Sequence, residues 1–355
     1  MIIRVVGQNG GGSRVYVHQL NNALSEQGKQ VTTFFKEFKP GDPLTSVSSA
    51  NCINHYSINL IRILFLILKH RDKIEYIHSH LRNATIICHA ICQLFGLNHI
   101  ITVHGPISYG RQSIKDKIII KLFGISLEKS IASLFISEFT LQKTLEICKI
   151  ERRSHFKVIH NGSDEARYNT PPKDACNIFR VVIVGELTDR KRPLEAIKLC
   201  TLLNEDEETK GKFHIDIYGD GHLKFQLSNQ IRSLHLEESI RLHGNVYNID
   251  EIYSGAGIHL IFAYDEGFGR VVTESMAYGV PTMAFESGAF PEIIEHGKSG
   301  FLFSDTEDCV RQLKSIILQK TALPATEKLL RIFSEKFSSA VFKEKTIKAI
   351  NESLI

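Results

Sequence analysis

No apolar run in the 355-residue sequence is long enough to cross a bilayer. The longest, INLIRILFLILKH from Ile58 to His70, is interrupted by Arg62 and falls short of the ~20 residues that a span takes. The start, MIIRVV, lacks a basic region followed by an apolar core, so no secretory leader is expected. The seven cysteines are odd in number and form no C-x-x-C. Most lie in apolar segments such as IICHAICQLF and read as reduced core thiols. A cytoplasmic location is the expectation. With 43% hydrophobic and 23% charged residues, there is no bias toward disorder. Nor is there a long basic run, and nucleic acid is not an expected partner.

What is present is divided unevenly. Residues 1–165 carry 20 Lys and Arg against 12 Asp and Glu, whereas residues 166–355 carry 23 against 27. A basic first half suits something anionic, such as a membrane surface or a phosphorylated acceptor. Strand-like and helix-like segments alternate twice. IIRVVGQ, VTTFF, YIHSH, HIITVHG, SLFIS and FKVIHNG read as strands of a parallel sheet covered by helices. The first helix follows GGSR, with Val15, Val17, Leu20 and Leu24 near one face and Gly28 closing it. A polar stretch with a Pro-Pro pair, GSDEARYNTPPKDACN, reads as a linker. The pattern then restarts with FRVVIVGEL, FHIDIYGDG, IRLHGNV, GIHLIFA and PTMAF. The expected fold is α/β, with two Rossmann-like doubly wound domains. Their boundaries are residues 1–165 for the first domain, 166–177 for the linker, 178–334 for the second domain and 335–355 for a final helix crossing back. Ligands of such sheets bind beyond the strands' carboxyl ends, here in a cleft between the domains.

Several motifs sit at those ends. GQNGGGSR, Gly7 to Arg14, offers bare amides at a helix start and a guanidinium from Arg14. It matches a dinucleotide fingerprint only in part, because Val15 stands where the third glycine belongs; a plain tight turn is the other reading. In TVHGP, His104 ends a strand, where it can exchange a proton near neutral pH. His78 and His80 alternate along IHSH, but no third metal ligand accompanies them. VGELTDRKRP crowds Arg190, Lys191 and Arg192 at a helix start with Pro193 as its first residue. Positive charge there conflicts with the helix dipole unless an anion such as a diphosphate binds, although a solvated turn competes. IYGDGH allows close backbone approach or a simple turn. In DEGFGRVVTE, Glu266 falls in a loop and Glu274 on the helix that follows, with N–H groups of residues 267–271 between them. ESGAFPEIIEHGKSGFLF repeats a glycine loop and a Pro-Glu helix start.

Taken in order, these segments resemble the retaining glycosyltransferases of group 1, glycosyltransferase family 4, with the GT-B fold. The likeness spans nearly the whole chain and is most specific in the E-x7-E of Glu266 and Glu274 followed by PEIIEHGKSGFLF. It implies that Glu274 accepts hydrogen bonds from the ribose and Glu266 from the donor sugar. The amides of Gly269, Arg270 and Val271 face the diphosphate and sugar, and Lys191 stabilises the leaving group. Asn245 and Val246 of HGNV pass beside the base, His104 lies near the anomeric carbon, and Gly11 and Gly12 line the cleft. One position departs: Glu186 follows the glycine of VG-x-L, where the family often has arginine, and Arg190, Arg192 and Arg14 are the candidates to stand in.

The implied reaction is metal- and cofactor-independent transfer of a sugar from a nucleotide diphospho-sugar, UDP favoured, to a hydroxyl of a glycan or lipid-linked glycan of the bacterial surface, such as lipopolysaccharide, O-antigen or capsule. The configuration would be retained by front-face attack. A nucleotide-sugar epimerase and a non-catalytic nucleotide- or glycan-binding protein are the alternatives. Leu60 to Leu68 reads as a buried sheet-covering helix, with peripheral contact to the inner membrane as the competing reading.

Overall fold

Runs of β-branched and aromatic residues, each closed by a polar or glycine turn, set the strands of both sheets. A computed structural model describes residues 1–7, 11–36, 51–106, 113–165 and 178–355. The expected linker, residues 166–177, lies outside the described residues. The described chain divides into two units, Met1–Gly162 with Ser339–Ile355, and Ser163–Ser338.

The first unit is built on β1 (Ile2–Val6), β2 (Val31–Phe35), β3 (Cys52–His55), β4 (Tyr76–His80), β5 (His99–Val103), β6 (Ala132–Phe135) and β7 (Phe156–Val158). They pair in parallel in the order β3-β2-β1-β4-β5-β6-β7. Successive residues of β1 serve opposite faces. Ile2 and Val6 meet Tyr16, Val17, Leu20 and Leu24 of the helix Gly11–Glu26, together with Phe342 and Ile350 of the final helix, Ser339–Leu354. Ile3 and Val5 meet Ile63 and Ile67 of the helix Leu60–His70 and Cys88 and Cys92 of the helix Arg82–Phe95. Val15, expected on the packed face, is only half-buried, and Tyr16 takes that place. Leu60–His70 is also a correction to the buried-helix reading. Ile63 and Ile67 are buried, but Ile61, Phe65 and Leu68 face outward.

The second unit uses β8 (Phe179–Val184), β9 (Phe213–Tyr218), β10 (Ile240–Gly244), β11 (Ile258–Ile261), β12 (Thr282–Phe285) and β13 (Gly300–Phe303), all parallel, in the order β10-β9-β8-β11-β12-β13. Its core joins Val181, Ile183, Ile215 and Ile217 to Leu199 and Cys200 of the helix Glu195–Glu205. That helix begins at Glu195, two residues after Pro193, so the proline precedes the helix instead of opening it. The six cysteines within the described residues are all free thiols, and Cys88, Cys92, Cys200 and Cys309 are buried.

Both sheets enclose histidines. Burial pushes His99, His104 and His259 down to about 3. His78 and His80 are also lowered well below the ordinary imidazole range, first by burial and then, respectively, by Arg4 and by neighbouring His78. These rings are neutral in the folded chain but take a proton at about 6.5 once unfolded. Their contribution is present above that value and lost as pH falls, because the unfolded state then binds more protons. Denaturant titrations near pH 6 and pH 5 should show the unfolding free energy dropping by more than about 1.4 kcal/mol, the response of one group to one pH unit. A smaller drop would mean these rings are protonated in place.

Candidate active site

In the second sheet the strand order reverses between β8 and β11, the place where an open α/β sheet leaves a crevice at its carboxyl ends. The turn after β8 supplies Arg190 and Lys191, and the loop after β11 supplies Glu266. Lys191 Nζ donates to Glu266 Oε2 at 2.6 Å, and Arg190 Nη1 donates to the same oxygen at 2.7 Å. Burial alone would raise the Glu266 carboxyl, but Lys191 and Arg190 outweigh it and hold it below its ordinary range. Two cations on one carboxylate leave an excess positive charge, which is what an anion would meet there. Arg192 does not join them. Its backbone turns to φ +50°, its guanidinium lies 4.2 Å over the Tyr264 ring, and it donates to Glu195 at 2.6 Å. Of the two neighbouring arginines named as stand-ins at Glu186, Arg190 reaches the carboxylate and Arg192 is turned elsewhere.

Close backbone packing explains the glycines around Glu266. A Cβ on Gly288 (φ +63°) would lie 2.6 Å from both the N and the O of Glu266. The Ala289 N–H donates to the Glu266 carbonyl at 2.9 Å, so the two loops are pinned to each other. Gly269 sits at φ +79°, and a Cβ there would lie 2.6 Å from Phe290. Phe268, just before Gly269, is buried and anchors the turn. The helix Arg270–Ala277 then begins, and its geometry leaves the N–H groups of Arg270 and Val271 without an intrahelical acceptor. One turn on, Glu274 has its carboxylate 3.6 Å from Arg270 Nε. The Arg270 side chain is thus turned along its own helix toward Glu274, with Nη1 buried and without a hydrogen-bond partner among the described residues.

A cavity of about 360 Å³ opens at the carboxyl ends of β8, β9 and β10, lined by Gly185, Glu186, Tyr218, Asn245, Val246 and Ile252 among others. Its floor exists because two loops touch backbone to backbone. A Cβ on Gly219 would fall 1.9 Å from the Gly185 carbonyl, and one on Gly221 would fall 2.4 Å from that of Leu187. The glycines of IYGDGH therefore serve loop packing, and Asp220 is engaged by Lys224 at 2.7 Å. Tyr218 is fixed by a network that sequence reasoning missed. Its hydroxyl accepts from Arg180 Nη2 at 2.6 Å, and its ring stacks on His243 at 4.5 Å. Arg180 Nε donates to Asp216 at 2.6 Å, and His243 Nε2 lies 2.7 Å from the other Asp216 oxygen. Burial would raise the Asp216 carboxyl, but His214, His243 and Arg180 hold it far below the carboxylate range. An acid inside the strand-like run FHIDIY was the available signal.

The first unit has its own carboxyl-end site. His104, after β5, lines a cavity of about 220 Å³ with Gly7, Asn83, Thr102 and Gly105 among others. Its Nε2 is 2.8 Å from His80 Nδ1. His80 stacks on His78 at 4.3 Å between centroids, and His78 Nε2 is 2.8 Å from Thr102 Oγ1. Arg4, wholly buried in β1, donates to His78 Nδ1 at 3.4 Å and to Asn21, which in turn donates to Thr33 at 3.1 Å. At about 3, His104 stays neutral at physiological pH. It can donate or accept a hydrogen bond there but does not titrate near neutrality, which corrects the expected proton exchange. Gly11 and Gly12 lie in the first turn of the helix Gly11–Glu26, and Arg14 is buried two residues further on.

Comparison with known proteins agrees with this geometry. A family model for glycosyl transferases group 1 matches residues 176–336, and one for glycosyltransferase family 4 matches residues 10–167. The chain is 24% identical over 289 residues to the N-acetyl-alpha-D-glucosaminyl L-malate synthase of Bacillus anthracis, covering 77% of this chain and 71% of that protein. It is 30% identical over 171 residues to the amylovoran biosynthesis glycosyltransferase AmsK of Erwinia amylovora, covering 46% of this chain and 41% of that one. Among solved structures it superposes on Anabaena Alr3699/HepE in complex with UDP and glucose with a TM-score of 0.82 at 18% identity, covering 99% of this chain and 100% of the other. The apo lipopolysaccharide outer core galactosyltransferase WaaB gives a TM-score of 0.75 at 16% identity, covering 99% of both chains. With two doubly wound units, a carboxylate-and-cation site at the second sheet's reversal and family models matching each half, the chain is a glycosyltransferase of group 1, family 4, with the GT-B fold.

Proposed function

We propose that this enzyme is a hexosyltransferase that moves a sugar from a UDP-sugar to a hydroxyl of a bacterial surface glycan, free or lipid-linked, with retained anomeric configuration. The observation that carries this reading is the convergence of Lys191 and Arg190 on Glu266, next to a helix start and one turn from Glu274. Two cations around one acid suit a diphosphate that gains charge as it leaves. Preorganised donors aimed at developing charge are worth most in a partly dry site. We assign the diphosphate to Lys191, Arg190 and the amides of Gly269, Arg270 and Val271. Glu266 would then hold hydroxyls of the sugar and Glu274 those of the ribose. Asn245 and Val246, on the wall of the 360 Å³ cavity, would border the base. His104 would give or take a neutral hydrogen bond at the sugar, and Gly12 and Arg14 belong to the same first-unit end.

With two side-chain cations neutralising the leaving group, no divalent ion is required by the reading. Front-face attack, with the departing phosphate taking the acceptor's proton, accounts for retention without a covalent intermediate. UDP is favoured because the structural neighbour HepE was solved with UDP and glucose. A surface glycan is favoured because WaaB and AmsK are named for lipopolysaccharide core and amylovoran. A non-catalytic role keeps one supporting observation: Glu186, exposed on the cavity wall, replaces a base with an acid.

Three measurements test this. A panel of UDP- and GDP-sugars with detection of freed nucleotide should give release with a UDP-sugar. Binding without release from any donor would favour the non-catalytic alternative, and conversion to an isomeric nucleotide sugar an epimerase. Glu274→Ala should weaken UDP at least about tenfold, which corresponds to about 1.4 kcal/mol, and unchanged affinity by calorimetry would remove the ribose from that position. Lys191→Met should lower kcat by about 10²–10³, the range seen when one donor to a developing charge is lost. A kcat within twofold of the parent would take Lys191 out of the leaving-group role.

A further inference from the structure

Three of the helices that cover one face of the first sheet share an unusual outer side; the helix Glu138–Cys148 also packs there, through Leu141. Leu60–His70 and Arg82–Phe95 pack inward with Ile63, Ile67, Cys88 and Cys92 against Ile3, Val5 and Ile77. The third, Ile114–Lys129, packs with Phe123 and Leu127 against Ile101 and Val103 on that same face. The outer side of such a layer is ordinarily polar. Here it is not. Of the 17 large apolar side chains exposed among the described residues, nine belong to these three helices. Ile61, Phe65 and Leu68 follow the i, i+4, i+7 spacing of a stripe and are 80%, 61% and 70% exposed. Ile114, Ile118 and Leu122 repeat it at i, i+4, i+8, with Ile114 79% exposed. Each stripe lies opposite the residues that face the sheet, so the helices are apolar on both sides while only one side is covered.

The charges on these helices run one way. They carry seven Lys and Arg against two acids. Both acids are already engaged: Asp116 caps its own helix through Ser113, and Glu128 pairs with Arg153 at 2.8 Å. Lys115, Lys117 and Lys121 are exposed and interleave with the isoleucines of the third helix, while Arg62 and Lys69 flank the first stripe. An apolar stripe threaded with lysine is a poor protein–protein core, where lysine is depleted. It suits a bilayer boundary, where the apolar side chains enter the acyl region and the long cationic stems reach back to anionic headgroups. No helix among the described residues is long and apolar enough to cross a membrane, so the fit is to a surface.

We infer that the outer face of these three helices docks the enzyme on an anionic phospholipid bilayer. The inference holds whatever sugar or base the donor carries, because it uses no residue of the donor site. The test is co-sedimentation of the full chain with vesicles of phosphatidylethanolamine and phosphatidylglycerol, compared with vesicles of phosphatidylcholine alone. Binding to the anionic vesicles is expected, much reduced on the neutral ones and weakened by salt. The triple variant Ile61→Ser, Phe65→Ser, Leu68→Ser replaces only side chains with little buried area, so the fold should survive. It should lower the partition coefficient at least about tenfold, as expected for lost insertion of an apolar face. Lys115→Gln, Lys117→Gln, Lys121→Gln should lower it independently. Absence of binding, equal binding to both vesicle types, or binding untouched by either triple variant would overturn the proposal. So would a solution dimer that the serine variant splits, since the face would then belong to a second copy of the chain.

Discussion

The second unit is organised around one shared carboxylate oxygen. Glu266 Oε2 accepts from Lys191 and from Arg190, residues that leave a different strand some 75 positions earlier in the chain. For those three groups to meet, the loop after β11 must approach the loop after β12 more closely than any side chain permits, which Gly288 allows. The turn must then reverse into a helix at once, which Gly269 allows, while the buried Phe268 just before it holds the turn down. The helix Arg270–Ala277 begins where the turn ends, and Glu274 is placed one turn along it. The charges do not cancel, and the positive remainder attracts an anion where helix geometry also leaves N–H groups open.

Both units bury neutral imidazoles, His259 in the second among them, but they differ in what else they hold. In the second, carboxylates are kept ionised against burial by cations and hydrogen bonds, as at Glu266 and Asp216. In the first, imidazoles are kept neutral by burial, with His78, His80 and His104 stacked one after another. A neutral imidazole beside a sugar-sized cavity is a directional hydrogen-bonding group without a charge. It can orient hydroxyls without stabilising a competing anion. Arg4 sits at the base of that stack as a buried cation and makes protonation of its neighbours still harder.

The sequence made the alternation of strands and helices legible in both halves, because β-branched runs and glycine turns recur at regular spacing. The resemblance to the group 1 glycosyltransferases brought Glu266, Glu274, Lys191 and Asn245 into one reading, through the E-x7-E, VGEL…K and HGNV segments that carry it. β3 and β13 were not foreseen. Each has four residues and lies at the edge of its sheet, where one side needs no apolar partner, and β13 follows directly on a glycine loop. The buried networks of Arg4 and Asp216 escaped for a different reason. A lone charge inside an apolar strand is visible in sequence, but its partners come from strands dozens of residues away. The outward apolar stripe of Leu60–His70 was misread because a helix apolar on all sides is ordinarily buried. Only the sheet's position decides which side is covered.

Lys191 and Arg190, which meet at Glu266, are the pair proposed to hold a diphosphate. Calorimetric titration of the same enzyme with UDP and with UMP isolates that contribution, since the ligands differ by one phosphate. UDP should bind at least about tenfold more tightly, which is about 1.4 kcal/mol, and the gap should close in the double variant Arg190→Ala, Lys191→Ala. Equal affinities for UDP and UMP in the parent enzyme would show that Lys191 and Arg190 do not serve the diphosphate.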